Sequence, residues 1–308
     1  MKEKLVVILG PTATGKSNLA IQIAKHLNGE IISGDSMLVY QGMNIGTAKP
    51  SKEELQEVPH HLVDILPPDA SFNVVDFVTA AQKLITEINA RGRLPIIAGG
   101  TGLYIKALLE GYSFTSVDEN TELRAQLEKE AEEVGPEALY QKLVELDPEA
   151  AKIIHPNNVR RVIRALEAAS LGGHVSQEKT SEDISLYDAK VFGLTMERDF
   201  LYERINKRVD AMLALGLEEE VKNLLARGIS PDSQSMQAIG YRQMVWYLKE
   251  GMEKELAIEK LKQATRNFAK RQLTWYKKMP YVHWFTVGRD LNYEEILQNM
   301  LLVLEKKH

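Results

Sequence analysis

The sequence predicts an α/β protein built on a parallel sheet, with a helical domain inserted into the chain. Apolar strand-like runs alternate with helical stretches over about the first hundred residues, which is typical of a parallel α/β fold. Between 115 and 188 the strand signals disappear and the sequence becomes polar and helical. We therefore expect a core domain formed by 1–114 and 189–308, and a helical insertion domain at 115–188.

The elements of the first part follow from the spacing of apolar residues. Short apolar runs bounded by polar or glycine-containing segments predict strands at 5–9, 30–33, 61–65 and 95–98. Apolar residues that recur every three or four positions predict helices at 17–27, 52–57, 74–91 and 103–109. Asn28-Gly29 and Arg91-Gly92 are typical helix ends.

After the insertion the same criteria predict a return to the α/β pattern. A strand is expected at 190–196 and another at 282–287, before a terminal helix. Helices are expected between those strands, at 200–215, 217–227, 235–250 and 254–278. No stretch has the length and apolar character of a membrane span, so we expect no membrane attachment and no signal peptide.

The segment after the first predicted strand matches the P-loop template G-x-x-x-x-G-K-[ST] at every position. Its residues are Gly10, Pro11, Thr12, Ala13, Thr14, Gly15, Lys16 and Ser17. The backbone N–H groups of such a loop, and the positive end of the helix that follows, attract phosphate. Lys16 adds a positive charge, and the Ser17 hydroxyl is a candidate ligand for phosphate-bound Mg²⁺. The loop predicts binding of a diphosphate or triphosphate, without deciding between ATP and another compound.

The charge of the chain is unevenly distributed. The formal net charge is −5, yet 260–289 carries eight Lys or Arg and no carboxylate, whereas 118–149 carries eleven Asp or Glu. A basic segment of this kind is compatible with a polyanionic partner. The absence of cysteine excludes disulfides and thiolate metal sites, and favours a cytoplasmic location. Nothing in the sequence indicates an obligatory protein partner.

Two predicted strands end in residues suited to a binding site, because ligands bind beyond the carboxyl ends of strands in open parallel sheets. The second strand ends in Ser33-Gly34-Asp35-Ser36, so Asp35 is a candidate general base, metal ligand or helix N-cap. The fourth ends in Gly99-Gly100-Thr101-Gly102, where a ligand contact by Thr101 and a purely structural turn are both open. This strand has no terminal aspartate of the Walker B kind.

Three basic segments are candidates for contact with nucleic acid. On the predicted helix 254–278, cationic residues recur every four positions and form one stripe: Lys262, Arg266 and Lys270. This stripe is either a contact surface for phosphate or an ordinary solvated face. The insertion contributes Arg160 and Arg161. In the segment 240–243, Tyr and Arg are side chains that stack on unstacked bases, and Gln is one that reads base edges.

Six segments together closely resemble the tRNA dimethylallyltransferase family, bacterial enzymes that isopentenylate an adenosine beside the anticodon. In chain order they are GPTATGKS, SGDSMLVYQGMNIGTAKP, AGGTGLY, HPNNVRRVIRALE, GYRQM and AKRQLTWYKK. The match runs in order over nearly the full length, and the second segment is the most family-specific. The resemblance implies a P-loop, nucleotide-kinase-like core with a helical insertion. It also implies dimethylallyl diphosphate rather than ATP as the substrate of the loop, and tRNA as the partner.

The resemblance further implies a role for individual residues. Positions 10–17 bind the diphosphate, with Mg²⁺ at Ser17. Asp35 is the general base for the adenine N6 amine, Thr101 is a further active-site or tRNA contact, and Arg208 steadies the diphosphate. The tRNA contacts implied are Asp35, Ser36, Met37, Leu38, Thr101, Arg160, Arg161, Gly240, Tyr241, Arg242, Gln243, Lys270 and Arg271.

Other functions remain open to the residues taken alone. A small-molecule ATP-dependent kinase fits the loop, but such an enzyme does not need a carboxylate-free basic segment such as 260–289. A non-catalytic RNA-binding P-loop protein fits the basic segments, but it does not need a general base candidate such as Asp35. An isopentenyltransferase that acts on free adenine nucleotides is the nearest alternative to the tRNA enzyme.

Overall fold

Six parallel strands form one sheet in a computed structural model that describes residues 2–112, 121–170 and 186–305. The strands are β1 (Lys4–Leu9), β2 (Gly29–Ser33), β3 (His60–His61), β4 (Leu94–Gly99), β5 (Asp188–Met196) and β6 (Val282–Val287). Their order across the sheet is β3-β2-β4-β1-β5-β6, and every pairing is parallel. The predicted α/β class with a parallel sheet is confirmed.

Helices connect these strands and fill the described part of the insertion. They are α1 (Lys16–Leu27), α2 (Lys52–Glu57), α3 (Val74–Ala90), α4 (Gly102–Leu109), α5 (Thr121–Val134), α6 (Pro136–Leu146), α7 (Pro148–Ile153), α8 (Val159–Ser170), α9 (Arg198–Ala214), α10 (Leu217–Ala226), α11 (Tyr241–Glu250), α12 (Lys254–Tyr276) and α13 (Tyr293–Glu305). Within the described ranges, none of them combines the length and apolarity needed to cross a bilayer.

The central strand β1 explains why the first apolar run has no polar alternation. All of its residues from Leu5 to Leu9 are at most 1% exposed, because β1 lies between β4 and β5. The register aligns Leu9 with Gly99, and Ser33 with Ala98. The carboxyl ends of β1, β2 and β4 therefore meet at one edge of the sheet, where the P-loop, Asp35 and Thr101 follow them.

The chain divides into two compact units. One comprises Met1–Glu110 and Glu182–His308, and the other comprises Gly111–Ser181. The second unit has its own apolar core, to which α5, α6 and α8 contribute Leu127, Leu139, Leu143 and Leu166. The domain boundaries expected from the sequence stay predictions, because position 115 lies outside the described residues.

Two predicted elements are wrong in extent. The strand expected at 61–65 is only His60–His61, since Leu62 and Asp64 have φ values of 59° and 54° and cannot continue an extended chain. The helix expected from 235 begins at Tyr241, because turns precede it and Gly240 has a φ of 101°. Apolar spacing continues through both segments, so periodicity alone does not reveal these interruptions.

A buried carboxylate joins the start of β2 to neighbouring segments of the core. Glu30 is 3% exposed and accepts hydrogen bonds from His61 Nε2 at 2.6 Å, Arg91 Nη2 at 2.8 Å and Arg93 Nη1 at 3.0 Å. Burial disfavours the ionised form of Glu30, but these hydrogen bonds outweigh it and lower its pKa to about 2. The ionised carboxylate is therefore more stable in the folded than in the unfolded chain.

We expect this network to contribute stability that is lost in acid. A depressed pKa stabilises the fold fully above the unfolded value of about 4.5, and the contribution disappears as the pH falls towards about 2. The free energy of unfolding should fall over this window by on the order of 2–3 kcal/mol more in the wild type than in Glu30→Gln. Denaturant unfolding at several pH values measures the difference, with the exposed Glu57→Gln as control. Parallel curves for wild type and Glu30→Gln would contradict it.

Candidate active site

The P-loop, residues 10–17, connects β1 to α1 with a geometry that requires glycine at its last turn. Gly15 has a φ of 85°, and a Cβ there would lie 2.5 Å from the hydroxyl oxygen of Tyr293. That hydroxyl donates a hydrogen bond to the Thr14 carbonyl at 3.1 Å. The helix α13 thus supports the loop where it turns into α1.

Two side chains from distant helices hold the P-loop. Ala13 has a φ of 67°, which is costly for a residue with a Cβ, and its carbonyl accepts a hydrogen bond from Arg204 Nε at 2.9 Å. The backbone N–H of Thr12 donates to Gln272 Oε1 at 3.0 Å. The loop conformation therefore depends on α9 and α12 as well as on its own sequence.

Lys16 lies in the first turn of α1, and its Nζ donates to the Pro11 carbonyl at 3.3 Å. Burial and, to a smaller extent, the positive charge of Arg208 lower its pKa to about 8, although the Asp35 carboxylate acts in the opposite direction. These three ionisable groups are therefore within electrostatic reach of one another. A bound anion would favour the charged form of Lys16.

Asp35 and Thr101 lie on two segments that are hydrogen-bonded to each other. The Ser36 N–H donates to Thr101 Oγ1 at 3.1 Å, and the Thr101 N–H donates to the Gly34 carbonyl at 3.2 Å. Asp35 Oδ1 accepts a hydrogen bond from the Met37 N–H at 2.8 Å. This Asx-type turn fixes one carboxylate oxygen, as expected for short polar side chains after a strand.

A cavity of about 350 Å³ brings together many of the residues predicted from the sequence. The predicted residues that line it are Thr12, Asp35, Ser36, Met37, Thr101, Arg208, Gly240, Arg242 and Arg271. Its wall is otherwise largely apolar, with Ile205, Val209, Met212, Leu261 and Phe268. A largely apolar cavity with convergent polar groups has the character of a ligand site.

Helix α9 supplies both a charge and much of the apolar wall. Ile205, Arg208, Val209 and Met212 are three or four positions apart and therefore share one helical face. Burial lowers the pKa of Arg208 from its usual value, and Asp35 opposes the shift. A guanidinium retains its charge even so, and it places a positive group opposite the carboxylate.

Comparison with known proteins identifies the family to which this chain belongs. The family model for IPP transferase matches residues 38–279. The tRNA dimethylallyltransferase of Halalkalibacterium halodurans is 50% identical over 298 residues, which is 96% of this chain and 94% of the relative. The chain belongs to the IPP transferase family. This confirms the resemblance found in the motifs and the prediction of a transferase.

Solved structures of this family support the same assignment. The full-length tRNA isopentenylpyrophosphate transferase of Bacillus halodurans matches with a TM-score of 0.74 and 49% identity, over 99% of this chain and 98% of that one. A eukaryotic dimethylallyltransferase described as acting on tRNA matches with a TM-score of 0.81 and 28% identity, over 99% of this chain and 81% of that one. The fold prediction of a P-loop core with a helical insertion agrees with both.

The segment 240–243 differs from what the sequence suggested. Tyr241 is fully buried and donates from its hydroxyl to Glu220 Oε1 at 2.5 Å, and Gln243 is 1% exposed and accepts from the Gly240 N–H at 2.8 Å. Burial argues against the expected base stacking by Tyr241 and base reading by Gln243. Gly240 and Arg242 do line the cavity, and Arg242 lies 5.4 Å from the ring centroid of Trp246.

The basic stripe on α12 is only partly available to a partner. Lys262 Nζ forms an ion pair with Asp210 at 2.8 Å, and Arg266 Nη1 donates to Asn206 Oδ1 at 2.8 Å. Lys270 and the neighbouring Arg271 are exposed, and Arg271 borders the cavity. The periodicity is real, but its first two members hold α12 against α9.

The remaining predicted residues lie around the cavity or in the other unit. Leu38 follows Met37 and is half-buried outside the described lining of the cavity. Arg160 and Arg161 are exposed on the first turn of α8, within the second unit.

Four residues that hold the site were missed from the sequence. They are Arg204 and Gln272, which bond the P-loop; Tyr293, which supports its last turn; and Glu220, which accepts the Asn44, Ile45 and Gly46 N–H groups. Gln272 lies within AKRQLTWYKK, one of the six segments that carry the family resemblance, and its neutral side chain among basic residues was the available sequence signal. Glu220 lies in a run of three glutamates that reads as an ordinary helix start.

Proposed function

We propose that this enzyme transfers a dimethylallyl group from dimethylallyl diphosphate to the N6 amine of an adenosine next to the anticodon of tRNA, releasing diphosphate. The observation that carries the proposal is the cavity in which Asp35, Thr101 and Arg208 meet an apolar wall beside the P-loop. The relatives named tRNA dimethylallyltransferase support this choice of reaction.

The donor's diphosphate binds at the P-loop. Loop N–H groups, Lys16 and Arg208 are the groups that offset its charge, and this charge grows as the C–O bond of the donor breaks. The allylic chain lies against apolar residues of α9, which exclude water from the electrophilic carbon: Ile205, Val209 and Met212.

The residues at the P-loop also fit a Mg²⁺ ion that arrives with the diphosphate. Ser17 is exposed in the first turn of α1, and no cluster of His, Asp or Glu suited to a metal occurs among the described residues. A single hydroxyl oxygen from Ser17 suits Mg²⁺, which keeps several waters and takes phosphate oxygens with one or two protein ligands. When bound through Ser17, the ion supplies charge stabilisation for the leaving diphosphate.

Asp35 acts as the general base toward the acceptor. The N6 amine of adenine is a weak nucleophile because its lone pair is delocalised into the ring, so loss of its proton must accompany bond formation. Asp35 Oδ1 is engaged by the Met37 N–H, which leaves Oδ2 as the oxygen to receive that proton. The adenosine must leave its stack to reach the cavity. The Thr101 hydroxyl accepts a hydrogen bond from the Ser36 N–H and so orients the segment that carries the general base, Asp35.

Exposed cations hold the RNA outside the cavity. Lys270 and Arg271 on α12, and Arg160 and Arg161 on α8, are the candidates for phosphate contact. Gly240 and Arg242 border the cavity and are candidates for contact with the base that enters it. Tyr241 and Gln243 act indirectly, by fixing the start of α11.

The direct test is incubation of the protein with dimethylallyl diphosphate, Mg²⁺ and unmodified tRNA, followed by nucleoside mass analysis. We expect one adenosine per tRNA to gain a dimethylallyl group. Parallel reactions contain free AMP in place of tRNA, or ATP in place of the donor. Modification of AMP alone would contradict a tRNA substrate, and phosphate transfer from ATP would favour a kinase.

The RNA surface leads to a prediction about salt. Each lost phosphate contact lowers the slope of log K against log salt by roughly 0.7 to 0.9. The double variant Lys270→Ala/Arg271→Ala should therefore lower the slope for tRNA binding by about 1.5. Lys262→Ala is the matched control on the same helix, because its ammonium is already paired with Asp210. Equal slopes for wild type and double variant would mean that these two side chains are only solvated.

A further inference from the structure

The side chain of Gln272 connects the two halves of the active site. It is 4% exposed on α12, and its two amide atoms have different partners. Oε1 accepts from the Thr12 N–H of the P-loop at 3.0 Å, and Nε2 donates to the Gly100 carbonyl at 2.8 Å. Both bonds are made to backbone, so they fix main-chain positions.

The turn at Gly100 is shaped around this amide. A Cβ on Gly100 would lie 2.4 Å from Gln272 Nε2, so only glycine admits the side chain at that distance. The same carbonyl accepts a second hydrogen bond from the Tyr276 hydroxyl at 2.7 Å, one helical turn along α12. Gly100 precedes Thr101, which is hydrogen-bonded to the Ser36 N–H beside Asp35.

From this geometry we infer that Gln272 is a positioning residue that sets the P-loop at a fixed distance from the Asp35–Thr101 side of the cavity. The bond to Thr12 orients the loop that binds the diphosphate. The bond to Gly100 orients the turn that supports the general base, Asp35. The inference deepens the proposed function, since it rests on the diphosphate binding at the P-loop. A displacement of about 1 Å in reacting groups is enough to lower rates by about two orders of magnitude.

The neighbouring residue adds a link to the RNA. Arg271 is exposed and borders the cavity, and it precedes Gln272 in the same helix. The helix that contacts the RNA in the proposed function is therefore bonded directly to the loop that binds the donor. Removing the amide should loosen the loop without moving the cations of α12.

Two variants distinguish loss of the Gln272 amide from a weaker attachment of Gly100. Gln272→Met has a similar length and loses both bonds, whereas Tyr276→Phe weakens only the attachment of Gly100. In Gln272→Met we expect the KM for dimethylallyl diphosphate to rise about tenfold or more and kcat to fall about tenfold or more. In Tyr276→Phe we expect kcat to fall with the donor KM unchanged. The Kd for tRNA should stay at the wild-type value in both.

The control is Gln263→Met, an exposed amide on the same helix, which should match the wild type. A wild-type KM and kcat for Gln272→Met would overturn the inference. Equal losses of donor and tRNA affinity would also overturn it, because they indicate general loosening of α12. The wild-type enzyme provides a test that needs no variant: the Thr12 amide should exchange its hydrogen slowly, and fast exchange contradicts the bond. Because exchange does not depend on turnover, it distinguishes failure of this inference from failure of the proposed reaction.

Discussion

Replacing Lys16 with alanine should abolish turnover while leaving the affinity for tRNA largely intact. The ammonium of Lys16 lies in the first turn of α1, in electrostatic reach of Arg208 and Asp35. In the proposed function its loss removes charge that compensates the diphosphate as the C–O bond breaks. Removal of such an interaction typically costs two to three orders of magnitude in rate. In the proposed function the RNA contacts other, exposed cations, so its binding should not depend on this side chain. Product formation and tRNA binding by the same preparation measure the two effects.

The pH dependence of donor binding offers a second view of Lys16. Because its pKa in the free protein is lowered to about 8, the lysine loses its charge as the pH rises through that value. We therefore expect the KM for the donor to rise above about pH 8 in the wild type, and to lose this dependence in Lys16→Ala. Lys25→Ala is the matched control, since Lys25 lies on the outer face of α1 in an ion pair with Glu57. A parallel loss of tRNA affinity in Lys16→Ala would mean that the loop serves the RNA.

The sequence was sufficient for the parts of the fold that depend on local chemistry. The P-loop match identified the phosphate-type loop because glycine, lysine and serine are each needed there for a separate reason. The alternation of strands and helices predicted the parallel sheet, and parallel order brings the ends of β1, β2 and β4 to one edge. The same reasoning from the sequence places Asp35 and Thr101 at that edge.

The sequence was insufficient where a side chain acts across a large separation in the chain. Gln272 meets Thr12 across 260 positions, and Arg204 meets Ala13 across 191. No local pattern encodes such contacts, because each partner is a backbone group common to every residue. The same reason explains why the sequence does not reveal the burial of Tyr241: an aromatic residue near arginine and glutamine resembles a base-stacking segment, and the Glu220 carboxylate that accepts from its hydroxyl is 21 positions away.

The arrangement separates the functions of the charges at the site. Arg208 lines the cavity beside its apolar wall, and Lys16 is within electrostatic reach of Arg208, so both cations are suited to a leaving anion. Asp35 is the carboxylate that borders the same cavity, and it faces these cations electrostatically. Charge compensation and proton acceptance can therefore be removed one at a time.

Replacing Asp35 with asparagine should remove chemistry and preserve binding. Asparagine has the same size, and its Oδ1 can still accept the hydrogen bond from the Met37 N–H that shapes the turn. Its amide cannot accept the N6 proton at neutral pH. A positioned general base contributes typically about 10² to 10⁴ in rate, so we expect a loss of that order in the single-turnover rate, with both substrates bound as in the wild type. Rapid-quench measurement at saturating donor isolates this step from product release.

Asp69→Asn is the control, because it makes the same change in charge at an exposed position in the loop before α3. That variant should keep the wild-type single-turnover rate. If Asp35→Asn instead reacts at nearly the wild-type rate, Asp35 only shapes the turn after β2. The proton would then pass to water, to the departing diphosphate or to another side chain of the cavity, and the carboxylate would serve to hold Ser36 against Thr101.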